Sequence, residues 1–253
     1  MKFSFKYFLS ALIIVFIFSC TKEALNSTTA NSAASGDVGK GGSLARFTIV
    51  GNYLYAVDNH FLYTYNIADP KNPVKTNTSA LNFDMETIYP FKNKLFIGSK
   101  TGLYIYSIDS PAVPLKLGEA KHGRSCDPVV ATDSVAYVTL KGNTICGPAE
   151  DGLYVHDIKN LFQPILKTTI KINTPEGLGL QDTTLYVCCN GNGLRIYNVS
   201  NPYIPVERKV LTDANYKDVI TYGNLLICYV TTGILLYDIS NPVNPVSIKL
   251  IAN

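Results

Sequence analysis

A ten-residue segment recurs five times along the chain, and this repeat constrains the fold more than any other feature of the sequence. Its clearest copy, GILLYDISNP, begins at Gly233 and ends at Pro242. The earlier copies begin at Phe61, Gly102, Gly152 and Gly193. The fifth residue of each copy is an aromatic ring, and these rings are spaced by 41, 50, 41 and 40 positions: Tyr65, Tyr106, His156, Tyr197 and Tyr237. Such a period indicates a repeat architecture.

A short apolar run precedes each copy, as in YLYAV at Tyr53–Val57 and TLYVC at 184–188. These runs are rich in β-branched and aromatic residues and are bounded by Gly, Asn and Asp, which predicts strands. Several are apolar almost without alternation, which is typical of strands covered on both faces. Four short strands fit each period of about 40 residues, and no helix-length amphipathic segment is present. The sequence therefore predicts an all-β chain, a five-bladed β-propeller.

The predicted propeller occupies residues 44–253, and its five repeats are residues 44–81, 82–121, 122–171, 172–212 and 213–253. The first repeat supplies its own inner strand and the last its own outer strand. We therefore expect the five blades to close into one ring without exchanging a strand between the termini.

The end of the recurring segment resembles the LVIVD-repeat family of β-propellers. The resemblance rests on NVSNP at 198–202 and DISNP at 238–242, each preceded by Gly-Leu or Gly-Ile, and it extends from Leu44 to Asn253. It departs from the pattern in the third repeat, where LFQ at 161–163 replaces the Asn-Pro turn. The resemblance implies a propeller of the kind found in bacterial surface lipoproteins. The shared motif is a turn, so it implies fold more than activity.

The N-terminus has the features of a lipoprotein signal. Lys2 and Lys6 precede an apolar stretch of 12 residues at 7–18, which is shorter than a membrane-spanning helix needs. The stretch ends in Ser19-Cys20, which resembles a lipobox. We expect residues 1–19 to be a signal peptide, Cys20 to carry the lipid, and residues 20–43 to be a flexible tether. An ordinary cleavage site and an uncleaved anchor are the alternatives.

Charge and composition restrict the partners. The formal net charge is +3, and removal of Lys2 and Lys6 with the signal peptide would leave about +1 (3 − 2), which gives no basis for nucleic-acid binding. The absence of tryptophan weakens a sugar-stacking hypothesis. We expect a monomer held on the membrane by its lipid, in the outer membrane or at the cell surface. Its partner would be an envelope protein or a small ligand.

Five side chains near the start of the first strand of each repeat form the candidate site. Their spacings are 40, 41, 49 and 42: Arg46, Glu86, Asp127, Glu176 and Asp218. First strands line the channel of a propeller, so these residues are expected to ring one mouth. Clustered carboxylates can bind hard cations, so one interpretation is a site for a cation or a polar ligand; no other cofactor is expected. The structural alternative is that each acid accepts backbone N–H bonds and that Arg46 neutralises the ring.

The third repeat is about nine residues longer than the others, with the excess at 139–152. The loop between its second and third strands should lie at the same mouth, since insertions in repeats map to loops. Cys126 and Cys146 are placed to form a disulfide that pins this loop. Cys188 and Cys228 are predicted to be small core residues at equivalent positions of their second strands, aligned with Val57, Gly98 and Val138. No role is assigned to Cys189.

No nucleophile–histidine–acid order, Cys-x-x-Cys pair or glycine-rich phosphate loop is visible in the sequence. The sequence therefore favours a non-enzymatic binding lipoprotein of the cell envelope. The alternative is a hydrolase or lyase that uses an acidic mouth, because the fold alone does not determine function.

Overall fold

Short runs of β-branched and aromatic residues form twenty β-strands in the computed structural model. The structure describes residues 41–81, 84–121, 128–142 and 150–253, all within the compact unit Gly36–Asn253. All the regular secondary structure in these ranges is β-strand. No helix long and apolar enough to cross a membrane is present in them. The prediction of an all-β chain is confirmed.

Four consecutive antiparallel strands form each of five blades. Blades 1 and 2 contain β1 (Phe47–Val50), β2 (Tyr53–Val57), β3 (Phe61–Asn66), β4 (Val74–Ala80), β5 (Met85–Phe91), β6 (Lys94–Ser99), β7 (Gly102–Ser107) and β8 (Leu115–Lys121). Blade 3 contains β9 (Val129–Ala131), β10 (Val135–Leu140), β11 (Gly152–Asp157) and β12 (Ile165–Lys171). Blades 4 and 5 contain β13 (Pro175–Gln181), β14 (Thr184–Cys189), β15 (Gly193–Asn198), β16 (Val206–Leu211), β17 (Tyr216–Tyr222), β18 (Leu225–Val230), β19 (Gly233–Asp238) and β20 (Val246–Ala252). The five-bladed β-propeller is confirmed, and within the described residues no strand is exchanged between blades.

Neighbouring blades are joined by buried apolar cores. We call the face of a blade that packs on the preceding blade its leading face, and the opposite face its trailing face. Between blades 1 and 2, Tyr55, Val57 and Leu62 of the trailing face pack on Ile88 and Leu95 of the leading face. Equivalent cores join blades 2 and 3, blades 3 and 4, and blades 4 and 5. These four cores explain why the predicted strands are apolar on both faces.

Tyrosine hydroxyls connect three of these interfaces to the turns of the repeat. Tyr55 donates to the carbonyl of Pro111 at 2.9 Å, so a second strand of blade 1 reaches the turn of blade 2. Tyr137 donates to Pro202 and Tyr186 to Pro242 in the same way, at 2.9 and 2.8 Å. The turn that carries the family resemblance therefore ties each of these blades to the one before it.

The glycine that opens the third strand is required by a close approach of backbones. A Cβ on Gly193 would lie 2.1 Å from the carbonyl oxygen of Leu211 on β16, and Gly193 has a φ of 85°. The equivalent glycines approach the carbonyls of their fourth strands in the same way, with 2.6, 2.7 and 2.1 Å at Gly102, Gly152 and Gly233. The recurrence of glycine at this position is thus explained by packing and backbone conformation.

The seam between blade 5 and blade 1 differs from the four internal interfaces. Phe47, on the leading face of blade 1, is 63% exposed, and Tyr229, on the trailing face of blade 5, is 53% exposed. The residues that the strand registers align with Phe47 in the other blades are at most 1% exposed: Ile88, Val129, Leu178 and Val219. In the described part of the chain these two faces do not cover each other. Phe47 and Tyr229 therefore lie outside any buried interface in this part of the chain, unlike their counterparts in the internal interfaces.

The three cysteines of the described ranges are buried free thiols, which agrees with the prediction that Cys188 and Cys228 are core residues. The predicted equivalence of Cys188 and Cys228 is wrong, however. Cys188 pairs with Leu194, the residue after the glycine of its third strand, whereas Cys228 pairs with Leu235, two residues after its glycine. Cys188 therefore lies on the trailing face of blade 4 and Cys228 on the leading face of blade 5, in one shared core.

Candidate functional site

The predicted ring residues occupy two different positions around a β-bulge at the start of the first strand. Blades 2, 4 and 5 each have a register shift there. Thr87 and Asp218 pair with equivalent residues of their second strands, Gly98 and Tyr229. Asp218 is therefore equivalent to Thr87 and not to its neighbour Glu86. The expectation of five equivalent residues is wrong, because Glu86 and Glu176 lie in the bulge of their blades, where blade 5 has Lys217, and Asp218 lies one residue later.

Asp218 is a mostly buried carboxylate that ties the N-terminal segment to blade 5. The Ser43 hydroxyl donates to Oδ1 at 3.0 Å, and the backbone N–H of Leu44 donates to Oδ2 at 3.3 Å. The N–H of Val219 also donates to Oδ1, at 2.9 Å. Ser43 is itself buried and accepts a hydrogen bond from the N–H of Leu178 in blade 4, at 2.7 Å. Asp218 thus accepts hydrogen bonds from backbone N–H groups, as the structural interpretation of the ring residues predicts.

Two glycines make room for this carboxylate. A Cβ on Gly42 would lie 2.1 Å from Oδ2 of Asp218, and a Cβ on Gly177 would lie 2.1 Å from Oδ1. Enclosure has an electrostatic consequence, because burial disfavours the charged form. It raises the pKa of Asp218 to about 6, although the hydrogen bonds from Ser43, Val219 and Leu44 oppose the shift.

We expect this carboxylate to give the fold a pH dependence. The folded protein holds the Asp218 proton more tightly than the unfolded chain does, so protonation favours folding. This contribution is fully present below about pH 4 and is lost as the pH rises through about 6. Urea unfolding of the wild type and of Asp218→Asn from pH 4 to 7 measures it. The wild type should lose stability relative to the variant over that range, and parallel pH profiles would contradict the assignment.

Glu176 lies between two lysines at the mouth. One carboxylate oxygen contacts Nζ of Lys141 at 2.8 Å, and the carboxylate contacts Nζ of Lys217 at 3.4 Å. The Thr139 hydroxyl donates to the Glu176 carbonyl at 2.6 Å. By register, Lys217 stands at the bulge position that Glu176 occupies in the preceding blade. The charge of Glu176 is therefore neutralised within the propeller.

Arg46 and Glu86 are brought together at a cavity of about 320 Å³ between blades 1 and 2. Nη2 of Arg46 donates to Oδ1 of Asn59 at 2.8 Å and to the carbonyl of Met85 at 2.5 Å. Nζ of Lys100 donates to Asp84 at 3.0 Å. The lining residues are Arg46, Asn59, Asp84, Met85, Glu86 and Lys100. This volume lies at the lower end of the range for small-molecule sites.

The mouth carries both signs of charge. Arg46 and Lys100 line the cavity beside Glu86, and two lysines contact Glu176. The expectation of an acidic mouth is wrong at these positions. Across the described ranges, no group of three or more His, Cys, Asp or Glu residues is placed to hold a metal ion. The cation expected at this mouth has no ligand set among these residues.

Several predictions fall outside the described residues. They concern the signal peptide at 1–19, the lipidated Cys20, most of the tether, Asp127, and the proposed disulfide between Cys126 and Cys146. They stay predictions.

The sequence analysis missed the neighbours of Arg46 and Glu86. Asn59, Lys100 and Lys141 follow the second strands of blades 1, 2 and 3 at intervals of 41, which is the period of the repeat. This spacing was visible in the sequence and could have shown that basic residues share the mouth with the acids.

Comparisons with known proteins support the fold. The LVIVD repeat model matches residues 184–212, which form β14 to β16. No curated protein matches the chain. A protein from Lactobacillus plantarum is similar in structure, with a TM-score of 0.61 and 11% identity over 79% of this chain and 68% of its own. The periplasmic gluconolactonase PpgL of Pseudomonas aeruginosa has a TM-score of 0.60 and 10% identity, over 79% and 67% of the two chains.

AztD from Citrobacter koseri is also similar, with a TM-score of 0.55 and 15% identity over 85% of this chain and 62% of its own. At such identities the likeness shows the fold alone. The protein is a β-propeller of five four-stranded blades. Its fourth blade carries an LVIVD repeat, so the resemblance noted in the sequence is confirmed for that segment.

Proposed function

We propose that this propeller is a non-enzymatic binding protein of the cell envelope and that its ligand site is the cavity between blades 1 and 2. The cavity that unites Arg46, Asp84, Glu86 and Lys100 carries the proposal. Binding sites use a few convergent polar groups to fix the orientation of a ligand. Here cationic and anionic groups converge within one small cavity.

The charges define the ligand class. Both hydrogen bonds of Arg46 use Nη2, and within the described residues its Nε and Nη1 make none. These remaining N–H groups can each donate a hydrogen bond to an anionic group such as a carboxylate. The two acids that line the same cavity, Asp84 and Glu86, attract an ammonium group. The ligand is therefore a small zwitterion such as an amino acid or a short peptide.

A calorimetric titration with a panel of amino acids and dipeptides tests this proposal. Arg46→Gln and Glu86→Gln should each weaken the best binder at least about tenfold, because a hydrogen bond to a charged group contributes about 1.5–3 kcal/mol. Glu207→Gln is the control, since Glu207 pairs with Arg195 at 2.6 Å in blade 4, away from the cavity. Equal affinity in all variants would place the site elsewhere.

The alternative function, a hydrolase or lyase, required an acidic mouth. Basic side chains stand beside the acids at the described mouth, which favours binding over that chemistry. One propeller of similar fold is a gluconolactonase, and lactone hydrolysis by the purified protein is the assay that would revive the alternative.

The envelope location is part of the proposal and rests on the sequence around Cys20. We expect globomycin or Cys20→Ala to abolish incorporation of labelled palmitate and to release or mislocalise the protein. Cys146→Ala is a matched control that should label normally. Palmitate incorporation that persists in Cys20→Ala would refute the lipid anchor.

A further inference from the structure

The uncovered faces of the two terminal blades form an interaction surface. The leading face of blade 1 consists of Phe47, Ile49, Leu54, Ala56, Tyr63 and Tyr65. The trailing face of blade 5 consists of Ile227, Tyr229, Ile234 and Leu236. All ten residues are exposed or half-buried. The corresponding second- and third-strand residues of the trailing face of blade 4 are fully buried: Tyr186, Cys188, Leu194 and Ile196.

The two faces are the two halves of one type of interface. At each of the four internal interfaces, an apolar trailing face packs on the apolar leading face of the next blade. The trailing face of blade 5 therefore fits a leading face, and the leading face of blade 1 fits a trailing face. Within one chain they do not cover each other, since Phe47 and Tyr229 are more than half exposed.

We propose that these faces bind a second copy of this chain head to tail, with blade 5 of one copy packed on blade 1 of the next. Such a contact joins two different surfaces, so it builds a ring where the rotation closes and a filament where it does not. It replaces the expectation of a monomer. The cavity between blades 1 and 2 takes no part in this contact. Failure of the ligand proposal would therefore leave the proposed contact untouched.

Complementation between two variants tests the contact. Phe47→Asp damages only the leading face, and Tyr229→Asp damages only the trailing face. Light scattering on the full lipidated protein in detergent should show an assembly for the wild type and monomers for each variant. An equimolar mixture should form a dimer and nothing larger, because only one intact pair of faces remains. Ile248→Asp, at an equally exposed position on the outer strand β20, should assemble like the wild type.

Cross-linking in the envelope separates assembly from self-closure. Phe47→Cys and Tyr229→Cys, carried on differently tagged copies in one cell, should be joined by a short bismaleimide. The pair Phe47→Cys and Ile248→Cys should not be joined above the wild-type background. A wild type that is monomeric at all concentrations overturns the proposal. So does a chain carrying both Phe47→Cys and Tyr229→Cys that cross-links only within itself.

Discussion

Gly193→Ala is expected to destabilise the propeller by about 3 kcal/mol, whereas Gly191→Ala in the same hairpin should cost only about 1 kcal/mol. Both glycines have a positive φ, 85° and 72°, so both variants carry the strain of an L residue in that region. Only at Gly193 would the new Cβ also overlap backbone, 2.1 Å from the carbonyl of Leu211. At Gly191 no atom lies within 4 Å.

The additional cost arises because β15 and β16 must separate to admit a methyl group, which disturbs the ladder between Leu194 and Leu211. Urea unfolding of both variants measures the difference, and unchanged slopes would show that the denatured state is unaffected. Equal losses for the two variants would mean that the glycine serves backbone conformation alone.

Ile88→Ala should cost about 3 kcal/mol, while Phe47→Ala at the equivalent position of blade 1 should cost less than about 1 kcal/mol. Ile88 is 1% exposed in the core between blades 1 and 2, so its truncation leaves a cavity. Phe47 loses little on truncation because most of its side chain already faces solvent. Dilute protein is required, so that an assembly does not cover Phe47. Thermal and urea unfolding compare the two variants.

A large loss in Phe47→Ala at low concentration would show that its ring is buried in the monomer. It would then argue that blade 5 packs on blade 1 within one chain.

The architecture could be predicted from the sequence because two sets of markers, the aromatic rings and the turns, share one period. Two recurring features of the repeat have a local physical cause that the structure shows. The turns accept hydrogen bonds from tyrosines in the second strands of the preceding blades, and the glycines that open the third strands leave room for the fourth strands. Such local requirements recur from repeat to repeat, so they can be recognised in the sequence.

The candidate site was predicted less well because spacing does not show which residue of a first strand lies in its β-bulge. Glu86, Glu176 and Lys217 occupy the bulge of their blades, whereas Asp218 lies one residue later. Asp218 then turns inward to bind Ser43, whereas Glu86 lines the cavity. The ion pairs of Glu176 involve lysines from two different blades, a contact that depends on the three-dimensional arrangement.

The uncovered seam could not be predicted for a related reason. Phe47 is as apolar as Ile88 and Leu178, so pattern alone assigns all three to the core. Whether the last blade reaches the first depends on small rotations added over four interfaces, and no single residue encodes their sum.

Thiol labelling of two equivalent positions tests most directly whether the first blade has an uncovered face. Phe47→Cys and Ile88→Cys are treated with a maleimide in dilute native protein, and mass spectrometry of peptides locates the label. Phe47→Cys should react at about the rate of an unfolded control, and Ile88→Cys should react only after denaturation. Protection of both positions in the monomer would contradict an open seam and show that the five blades close on themselves.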